Sequence, residues 1–434
     1  MTTEKLKTAG VEVTALGDFA TVISGYAFKS SEFLKQGIPV IKIANIGVGL
    51  VDIADAQCVS TDYLNLLRPK YQVHPRDILI SLTGSQITQP NSVVGRVARQ
   101  SSNAPLAFLN QRAGKVIVDD PDRCNADYLY WALLNRDTRH QIAAMAHGAA
   151  SQANVSPSQV ESLKIRLPPF HVQRQIASIL SAYDDLIENS TRRIAILEEM
   201  ARRLYEEWFV RFRFPGHEGV PMVESELGSV PEGWVAATIG EAASYVNRGL
   251  SPKYDDAAVC LVINQKCIRD QRLTLGAARR QSKPVPAGKL LQFGDVLINS
   301  TGVGTLGRVA QVLENLANCT ADSHVSIVRA GDSCDLDYFG LSLFAQQAHF
   351  EAQGVGSTGQ TELSRTRISE TSIMLPPLDI QQQFGKLVRP MRNLAIILQN
   401  KNTNLRTTRD LLLPKLISGE LDVSTLPERQ AQTA

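Results

Sequence analysis

The chain of 434 residues lacks the cysteine patterns that bind metals or cross-link secreted proteins. A zinc site needs closely spaced pairs such as CxxC, and a disulfide framework needs many cysteines in a short chain. Neither pattern occurs here, so we predict reduced thiols and no structural metal. The six cysteines are scattered along the chain at Cys58, Cys124, Cys260, Cys267, Cys319 and Cys334.

Long apolar runs and an excess of one charge are missing as well. No run of about 18 apolar residues predicts a membrane span, and the N-terminal MTTEKLKTAG has no apolar core of a signal peptide. The formal charge of +2 neither requires nor excludes a nucleic-acid partner. The length of 434 residues predicts two to four domains, and 44% apolar with 20% charged residues fits a soluble globular protein. With no signal peptide or membrane span, we predict a cytoplasmic protein.

Common catalytic and cofactor motifs are absent from the sequence, including HExxH, GxxxxGK[ST] and GxSxG. One GxGxxG run, Gly302 to Gly307, follows a strand-like segment. A dinucleotide site requires a helix directly after this run. The following residues, RVAQVLE, alternate like a strand and predict a β-hairpin instead.

The segment Leu167-Pro168-Pro169-Phe170 resembles the (Asn/Asp)-Pro-Pro-(Tyr/Phe) loop of amino-methyltransferases. That chemistry needs an Asn or Asp oxygen to accept a hydrogen bond from the target amino group, and leucine has no such acceptor. We therefore predict a helix start here. The sequence as a whole predicts a non-enzyme with no catalytic residues, cofactor or metal of its own.

Two long stretches with a heptad period dominate what is present. The first begins after Pro168-Pro169 and ends at Pro215-Gly216, and the second begins after Pro376-Pro377. A helix on the order of 60 Å long cannot be buried by one small domain. We therefore predict that the two helices pack as an antiparallel coiled coil. The predicted seam consists of Ile176, Leu180, Tyr183, Ile187, Ile194, Leu197, Leu204, Trp208, Phe384, Val388, Met391, Leu398, Leu405 and Leu412.

Three further predictions concern single positions in or near the two helices. Asn402 falls on the seam, where a polar residue sets register at some cost in stability. Pro390 should kink the second helix or delay its start. Phe209, Phe212 and Phe214 are candidates for partner contacts or for packing against a domain.

The segments before the two helices repeat each other. Asp77–Gly84 (DILISLTG) matches Asp295–Gly302 (DVLINSTG), and Val94–Ala98 (VGRVA) matches Leu306–Ala310 (LGRVA). The pattern globule–helix–globule–helix indicates a tandem duplication. In the first copy we predict strands at Ile38–Ile43, Asp77–Leu82, Val93–Ala98 and Lys115–Val118, and a helix at Asp127–Met145.

The predicted fold class is α+β, with two α/β-type domains, two long helices between them as an antiparallel coiled coil, and a pseudo-twofold tandem repeat. The boundaries are an N-terminal arm (1–12), the first domain (13–166), the first helix (167–214), a linker (215–232), the second domain (233–374), the second helix (375–421) and a disordered tail (422–434).

Polar and basic side chains in the predicted loops are the candidates for DNA contact. Arg, Lys, Asn and Gln suit base edges, whereas Ser and Thr suit phosphates. Each one could equally belong to an ordinary solvated loop. The candidates in the first domain are Lys29, Lys42, Asn45, Thr83, Ser85, Gln86, Gln89, Asn91, Arg112 and Gln152. Those in the second are Lys253, Asn264, Lys266, Arg269, Thr301, Arg308, Ser323, His324 and Gln360.

Taken together, LPPFHVQRQIASIL, YDDLIEN, LEEMARRLYEEWFVRFRFPG, VPEGW and LLLPKLISGEL resemble the specificity subunits of type I restriction–modification systems. With the duplication, the resemblance covers almost the whole chain. It implies a non-catalytic reader in which each domain binds one half of a split, asymmetric double-stranded DNA target. It also implies docking of two methyltransferase subunits, which bring S-adenosylmethionine, and of restriction subunits, which bring ATP and Mg²⁺.

Two other classes of function stay open at the level of the sequence. A self-contained methyltransferase or nuclease would need the missing motifs, and the purified chain would bind S-adenosylmethionine without any partner subunit. A coiled-coil scaffold would bind proteins only, and it would show no salt-sensitive binding of DNA.

Overall fold

The computed structural model describes residues 10–85, 93–149, 152–225, 228–354 and 362–426. It divides into two compact units. Unit 1 comprises residues 1–188 and 403–434, and unit 2 comprises residues 189–402. Each unit therefore contains one globular domain together with part of each long helix.

Unit 1 is built on a five-stranded sheet. In spatial order its strands are Ala20–Ser24, Ala113–Val118, Ile78–Ser81, Val97–Arg99 and Gly49–Leu50. A four-stranded sheet has the order Cys58–Val59, Ile38–Ile41, Ala107–Leu109 and Gln72–Val73. The remaining strands are His147–Ala149, Gln152–Asn154 and Thr83–Gly84 in one sheet, and Glu12–Ala15 with Lys164–Leu167 in another. The short helices are Tyr63–Leu66, Ala126–Leu134, Arg136–Ala144 and Pro157–Glu161.

Unit 2 repeats this plan with a four-stranded and a three-stranded sheet. The first has the order Ala243–Arg248, Val325–Ala330, Val296–Asn299 and Val309–Gln311. The second has the order Arg279–Gln281, Cys260–Ile263 and Cys319–Ala321. Paired strands are Val235–Thr238 with Ser372–Leu375, Ile268–Arg269 with Arg272–Leu273, and Met222–Ser225 with Gly228–Pro231. The short helices are Ile239–Ala242, Leu336–Ala345, Gln347–Ala352 and Arg365–Glu370.

The shared topology confirms the predicted duplication. The repeated segments DILISLTG and DVLINSTG supply strands Ile78–Ser81 and Val296–Asn299, which are buried throughout and pair on both sides. Gly25 and Gly249 occupy equivalent places beside these sheets. A Cβ atom there would lie 2.2 Å from the Leu109 carbonyl oxygen and 2.0 Å from that of Ala321, so both copies need glycine.

The predicted helix over Asp127–Met145 is interrupted. It forms two helices that meet at Asn135, whose φ of −52° and ψ of 135° are not helical. Residues 128–134 are all buried, whereas the second helix buries only Ile142 and Ala143. Periodicity predicted helix correctly over both pieces, but the turn between them was missed.

The two long helices span Phe170–Tyr205 and Leu378–Ser418. In unit 2, Asn402 donates to Thr191, and Trp208 packs against Phe384. Since higher numbers on the first helix meet lower numbers on the second, the predicted antiparallel packing is confirmed within this unit. Every predicted seam residue is buried or half-buried.

Asn402 lies on the seam as predicted, with 2% of its surface exposed. Its Nδ2 donates a hydrogen bond to the Thr191 hydroxyl at 3.1 Å. The alternative that Pro390 delays the second helix is wrong, because the helix begins at Leu378 and continues past Pro390. A kink at Pro390 stays a prediction.

The first helix ends earlier than the predicted Phe214. A π-helical turn, Glu206–Val210, follows Tyr205, and Phe212 has a φ of +58°. This wider turn lies in an aromatic cluster in which Phe209 and Phe214 pack with Trp234, and Phe209 also contacts Tyr338 and Phe384. The phenylalanines therefore pack against the second domain, and this packing ends the helix before Pro215 is reached.

The predicted arm, linker and tail take part in defined contacts where they are described. Glu12, the last residue of the predicted arm, begins the strand Glu12–Ala15, and the linker contains a hairpin. In the tail, Val423 is 3% exposed, and Gln175 Nε2 donates to the Leu426 carbonyl at 2.5 Å. Residues 1–9 and 427–434 lie outside the described residues. Among the helices of the described ranges, none is long and apolar enough to cross a membrane.

Candidate nucleic-acid interface

Three loops of unit 1 meet at one edge of its sheets. The Asn110 amide donates to the Ile41 carbonyl at 3.0 Å, and the Leu82 amide donates to the Arg112 carbonyl at 3.0 Å. These bonds bring together residues 42–45, 83–85 and 110–112, which we name loop edge 1. Five predicted DNA-contact residues belong to it, namely Lys42, Asn45, Thr83, Ser85 and Arg112.

Unit 2 builds the same edge with the same backbone bonds. The Asp322 amide donates to the Ile263 carbonyl at 2.8 Å, and the Ser300 amide donates to the His324 carbonyl at 2.8 Å. We name residues 264–266, 301–304 and 322–324 loop edge 2. Five predicted residues belong to it, namely Asn264, Lys266, Thr301, Ser323 and His324.

The side chains at equivalent positions of the two edges differ. Arg112 is exposed in loop edge 1, and His324 is exposed at the matching place in loop edge 2. His324 Nδ1 lies 2.8 Å from the Thr301 hydroxyl, to which Gln265 Nε2 also donates. Asp322 is 4% exposed and accepts the His324 amide, and burial raises the pKa of its carboxyl group. One backbone frame therefore presents a guanidinium group in unit 1 and an imidazole–hydroxyl pair in unit 2.

The polar groups of several predicted residues form hydrogen bonds within the protein. Lys42 Nζ lies 3.6 Å from the centre of the Phe33 ring and donates to Gln57, and burial lowers its pKa. Asn45 accepts the Lys42 amide and donates to the Asp52 carbonyl. These bonds hold the loop of edge 1 in shape.

Loop edge 2 contains similar structural bonds. Asn264 accepts the Lys266 amide and donates to the Ala277 carbonyl. Arg308 donates to the Gly304 carbonyl at 2.8 Å and so closes the glycine-rich turn. Thr83 of edge 1 is 8% exposed and pairs with Asn154 in a strand.

The other predicted residues lie as follows. Lys29 is exposed before the turn Ser30–Glu32, and the Lys253 carbonyl accepts the Ser282 amide. Arg269 is exposed and lies 3.6 Å from Asp270. Ser85 and Ser323 are half-buried, and Lys266 is exposed. Gln86, Gln89, Asn91, Gln360 and the side chain of Gln152 lie outside the described residues.

Residues that the sequence did not single out also belong to these edges. Asn110 and Gln111 stand beside Arg112, and Gln111 is exposed. In unit 2, Gln265 belongs to loop edge 2 and donates to the Thr301 carbonyl at 2.6 Å. Matching the turn Asn110-Gln111-Arg112 to Asp322-Ser323-His324 from the repeat would have identified the first pair.

The glycine-rich run of unit 2 forms the predicted hairpin. Gly302, Gly304 and Gly307 all have positive φ, and the strand that follows, Val309–Gln311, pairs with Val296–Ile298. Helix N-terminal amides for a pyrophosphate are therefore not built at this run. In the described ranges, no three His, Cys, Asp or Glu residues are grouped as metal ligands.

Comparison with known proteins gives one consistent family. The profile of the Type I restriction modification DNA specificity domain matches residues 9–199 and again residues 231–406. The MjaIX specificity subunit of Methanocaldococcus jannaschii is 27% identical over 75% of this chain and 78% of its own length. The putative MjaX specificity subunit of the same organism is 23% identical over 95% of this chain and 94% of its own.

A solved structure supports the fold. The S subunit of a type I restriction–modification system from M. genitalium aligns over 94% of this chain and 96% of its own, with a TM-score of 0.58 and 16% identity. At this identity the likeness concerns the fold alone.

The chain belongs to the family of type I restriction–modification DNA specificity domains, since two matches of the family profile together cover most of it. It is a specificity subunit, whose role is DNA recognition and not catalysis. Association with DNA and with other subunits of such a system follows from that membership. Neither the enzyme nor the scaffold alternative is supported.

Proposed function

We propose that loop edge 1 and loop edge 2 each read one half of a bipartite, asymmetric DNA target. The observation that carries this proposal is the identical hydrogen-bond frame with different exposed side chains. Equal frames would approach DNA in the same way, whereas unequal side chains would select different bases.

The chemistry of the exposed groups supports base reading. Arg112 offers a planar fork of donors that matches the O6 and N7 acceptors of guanine, and the amide of Gln111 matches adenine. The imidazole of His324 offers a single donor or acceptor at Nε2, because its Nδ1 and the Thr301 hydroxyl contact each other. The two edges therefore differ in the hydrogen-bond patterns that they can match.

The proposed partners are more specific than the association with other subunits that family membership shows. We infer that two methyltransferase subunits dock on this chain and bring S-adenosylmethionine, and that restriction subunits add ATP and Mg²⁺. The repeated domain-plus-helix unit supports the number two, because a duplicated surface can seat two identical partners. The cytoplasm, where the DNA substrate is, is the location that this function implies.

The domain-level test replaces residues 13–166 with the corresponding domain of another family member. With the methyltransferase subunits present, methylated adenines are mapped on DNA before and after the replacement. We expect one half of the target to change and the other half to stay. A change in both halves, or in neither, would contradict the proposal.

The residue-level test compares Arg112→Ala with Lys164→Ala. Lys164 is also an exposed basic residue of unit 1, but it lies in the strand that pairs with Glu12–Ala15. We expect Arg112→Ala to weaken discrimination at one target base by about 1–3 kcal/mol and Lys164→Ala to leave discrimination unchanged. Equal effects of the two variants would exclude Arg112 as a reader.

A further inference from the structure

Each domain is held on its long helix by a shared set of contacts. Gln173 of the first helix accepts the Asn125 amide and donates to the Arg123 and Pro168 carbonyls. Gln381 of the second helix accepts the Asp335 amide and donates to the Ser333 and Pro376 carbonyls. Because these bonds are the same in both units, they do not determine which domain belongs on which helix.

Farther along the first helix, unit 1 has charged contacts in which the helix provides a carboxylate and the domain provides a guanidinium group. Asp184 pairs with Arg409 at 2.5 Å and with Arg99 at 3.8 Å. Arg99 is 8% exposed and also pairs with Asp127 at 2.7 Å. Trp131 of the domain donates to the small Ser181 at 3.2 Å.

In the equivalent contacts of unit 2, the helix provides guanidinium groups and the domain provides a carboxylate. Arg389 and Arg392 stand at the same distances after Pro377 as Ser181 and Asp184 do after Pro169. Arg392 is 8% exposed, donates to Asp337 at 3.0 Å and donates to Gln311 at 2.6 Å. Arg389 donates to Asp337 at 2.7 Å.

The domain residues also correspond between the units. Arg99 and Gln311 each end the equivalent strand, and Asp127 and Asp337 each stand second in the equivalent helix. Domain 1 thus presents a buried guanidinium group where domain 2 presents an amide. The helices present a carboxylate to the first and a guanidinium group to the second.

The two units also differ in how much space the side chains fill at this place, because unit 2 has a cavity there. The position of Arg409 on the second helix corresponds to Ala201 on the first, and in unit 2 a cavity of about 630 Å³ is lined by Ala201, Leu341 and Arg392 among others. In unit 1 the equivalent positions hold the larger Arg409 and Trp131, whose guanidinium carbon and ring lie 5.9 Å apart. Shape and charge therefore both distinguish the two docking surfaces.

A domain docked on the wrong helix would meet like charges in a buried place. Domain 2 on the first helix would put Asp337 against Asp184 in place of Arg392. Domain 1 on the second helix would put Arg99 against Arg392. A buried charge that loses its partner is strongly destabilising, and a like charge beside it adds to the cost.

We propose that positions 181, 184 and 201 of the first helix and 389, 392 and 409 of the second form a docking key that admits each domain only to its own helix. The key would fix the order in which the two half-targets are read. This consequence rests on the proposed function, whereas the docking itself does not.

The first test moves the key of unit 1 into unit 2 of the full chain. Gln311→Arg places two guanidinium groups together, and Arg392→Asp places two carboxylates together. We expect each single variant to lower the midpoint of thermal unfolding by about 5–10 °C. The double variant recreates the Arg99–Asp127–Asp184 arrangement, and we expect it to recover most of that loss.

The control is Lys386→Asp, a charge reversal of the same sign at an exposed position of the same helix. It should move the midpoint by about 1 °C or less. Additive losses in the double variant, or single variants no worse than the control, would overturn the key.

The second test interchanges residues 13–166 and 233–374 in the full chain, with native helices or with the six key residues also exchanged (S181R, D184R, A201R, R389S, R392D and R409A). We expect the exchanged key to restore the unfolding midpoint that the interchange lowers. Equal midpoints with either set of helices would overturn the key.

Methylation mapping of the rescued chain with methyltransferase subunits separates the two proposals. Methylation of a target with its halves in reverse order would support both. A restored midpoint without that change of target would support the docking key and contradict the proposed function.

Discussion

At the scale of single residues, the fold decides which polar groups remain available. Lys42, Asn45 and Asn264 have side chains that suit DNA, yet each has hydrogen-bond partners inside its own domain. Arg112 and His324 have the same general character in the sequence but are exposed on the two loop edges. Residue type therefore predicts the possible chemistry, whereas the folded conformation decides whether the group stays available, because it brings in partners 7 to 15 residues along the chain.

The cysteines show the same dependence on surroundings, and all six are free thiols. Burial raises the pKa of Cys124 and of Cys319 to about 12, so almost none of either is thiolate at neutral pH. We expect a maleimide at pH 7 to label the half-buried Cys58 and Cys260 first, and Cys124 and Cys319 only after unfolding. Mass spectrometry of labelled peptides over time measures this order, and early labelling of Cys319 would contradict it.

At the scale of elements, periodicity predicted the two long helices and their seam but not the residue at which the first helix ends. The heptad pattern depends on which face is apolar, and this face is buried within each unit as predicted. The first helix ends before Pro215 because Phe209 and Phe214 pack with Trp234 of the second domain. Such an end depends on tertiary packing and has no local signal.

The aromatic cluster predicts a large stability effect at the end of the first helix. Phe209 is 5% exposed, with its ring centre 4.7 Å from that of Tyr338 and 4.8 Å from that of Phe384. We expect Phe209→Ala to lower the free energy of unfolding by about 3–5 kcal/mol, because a cavity replaces these contacts. Urea unfolding measures this change. The neighbouring Val210 is 60% exposed, so Val210→Ala is the matched control and should change stability by about 0.5 kcal/mol or less.

At the scale of the whole molecule, the small net charge hides a local arrangement. A formal charge of +2 over 434 residues does not by itself indicate DNA binding. The exposed basic groups matter where the backbone brings them to a loop edge. DNA binding should therefore depend on local phosphate contacts and fall as salt rises.

Salt dependence provides the corresponding prediction for the assembled complex. We expect the logarithm of the DNA association constant to fall linearly with the logarithm of the salt concentration. If Arg112 reads a base, Arg112→Ala should weaken binding without changing this slope; a phosphate contact would reduce the slope by about one. Fluorescence anisotropy at several salt concentrations measures both, with Lys164→Ala as control. Binding that does not respond to salt would contradict DNA recognition through basic groups.

The sequence by itself determined the duplication and the two seam-bearing helices. These follow from the local spacing of apolar residues and from repeated segments. Only the tertiary structure decided which polar residues meet at the loop edges, where the first helix ends, and which domain residues Asp184 and Arg392 contact. Those facts depend on strands and helices that are distant along the chain, and their contacts are set by the packing of the whole unit.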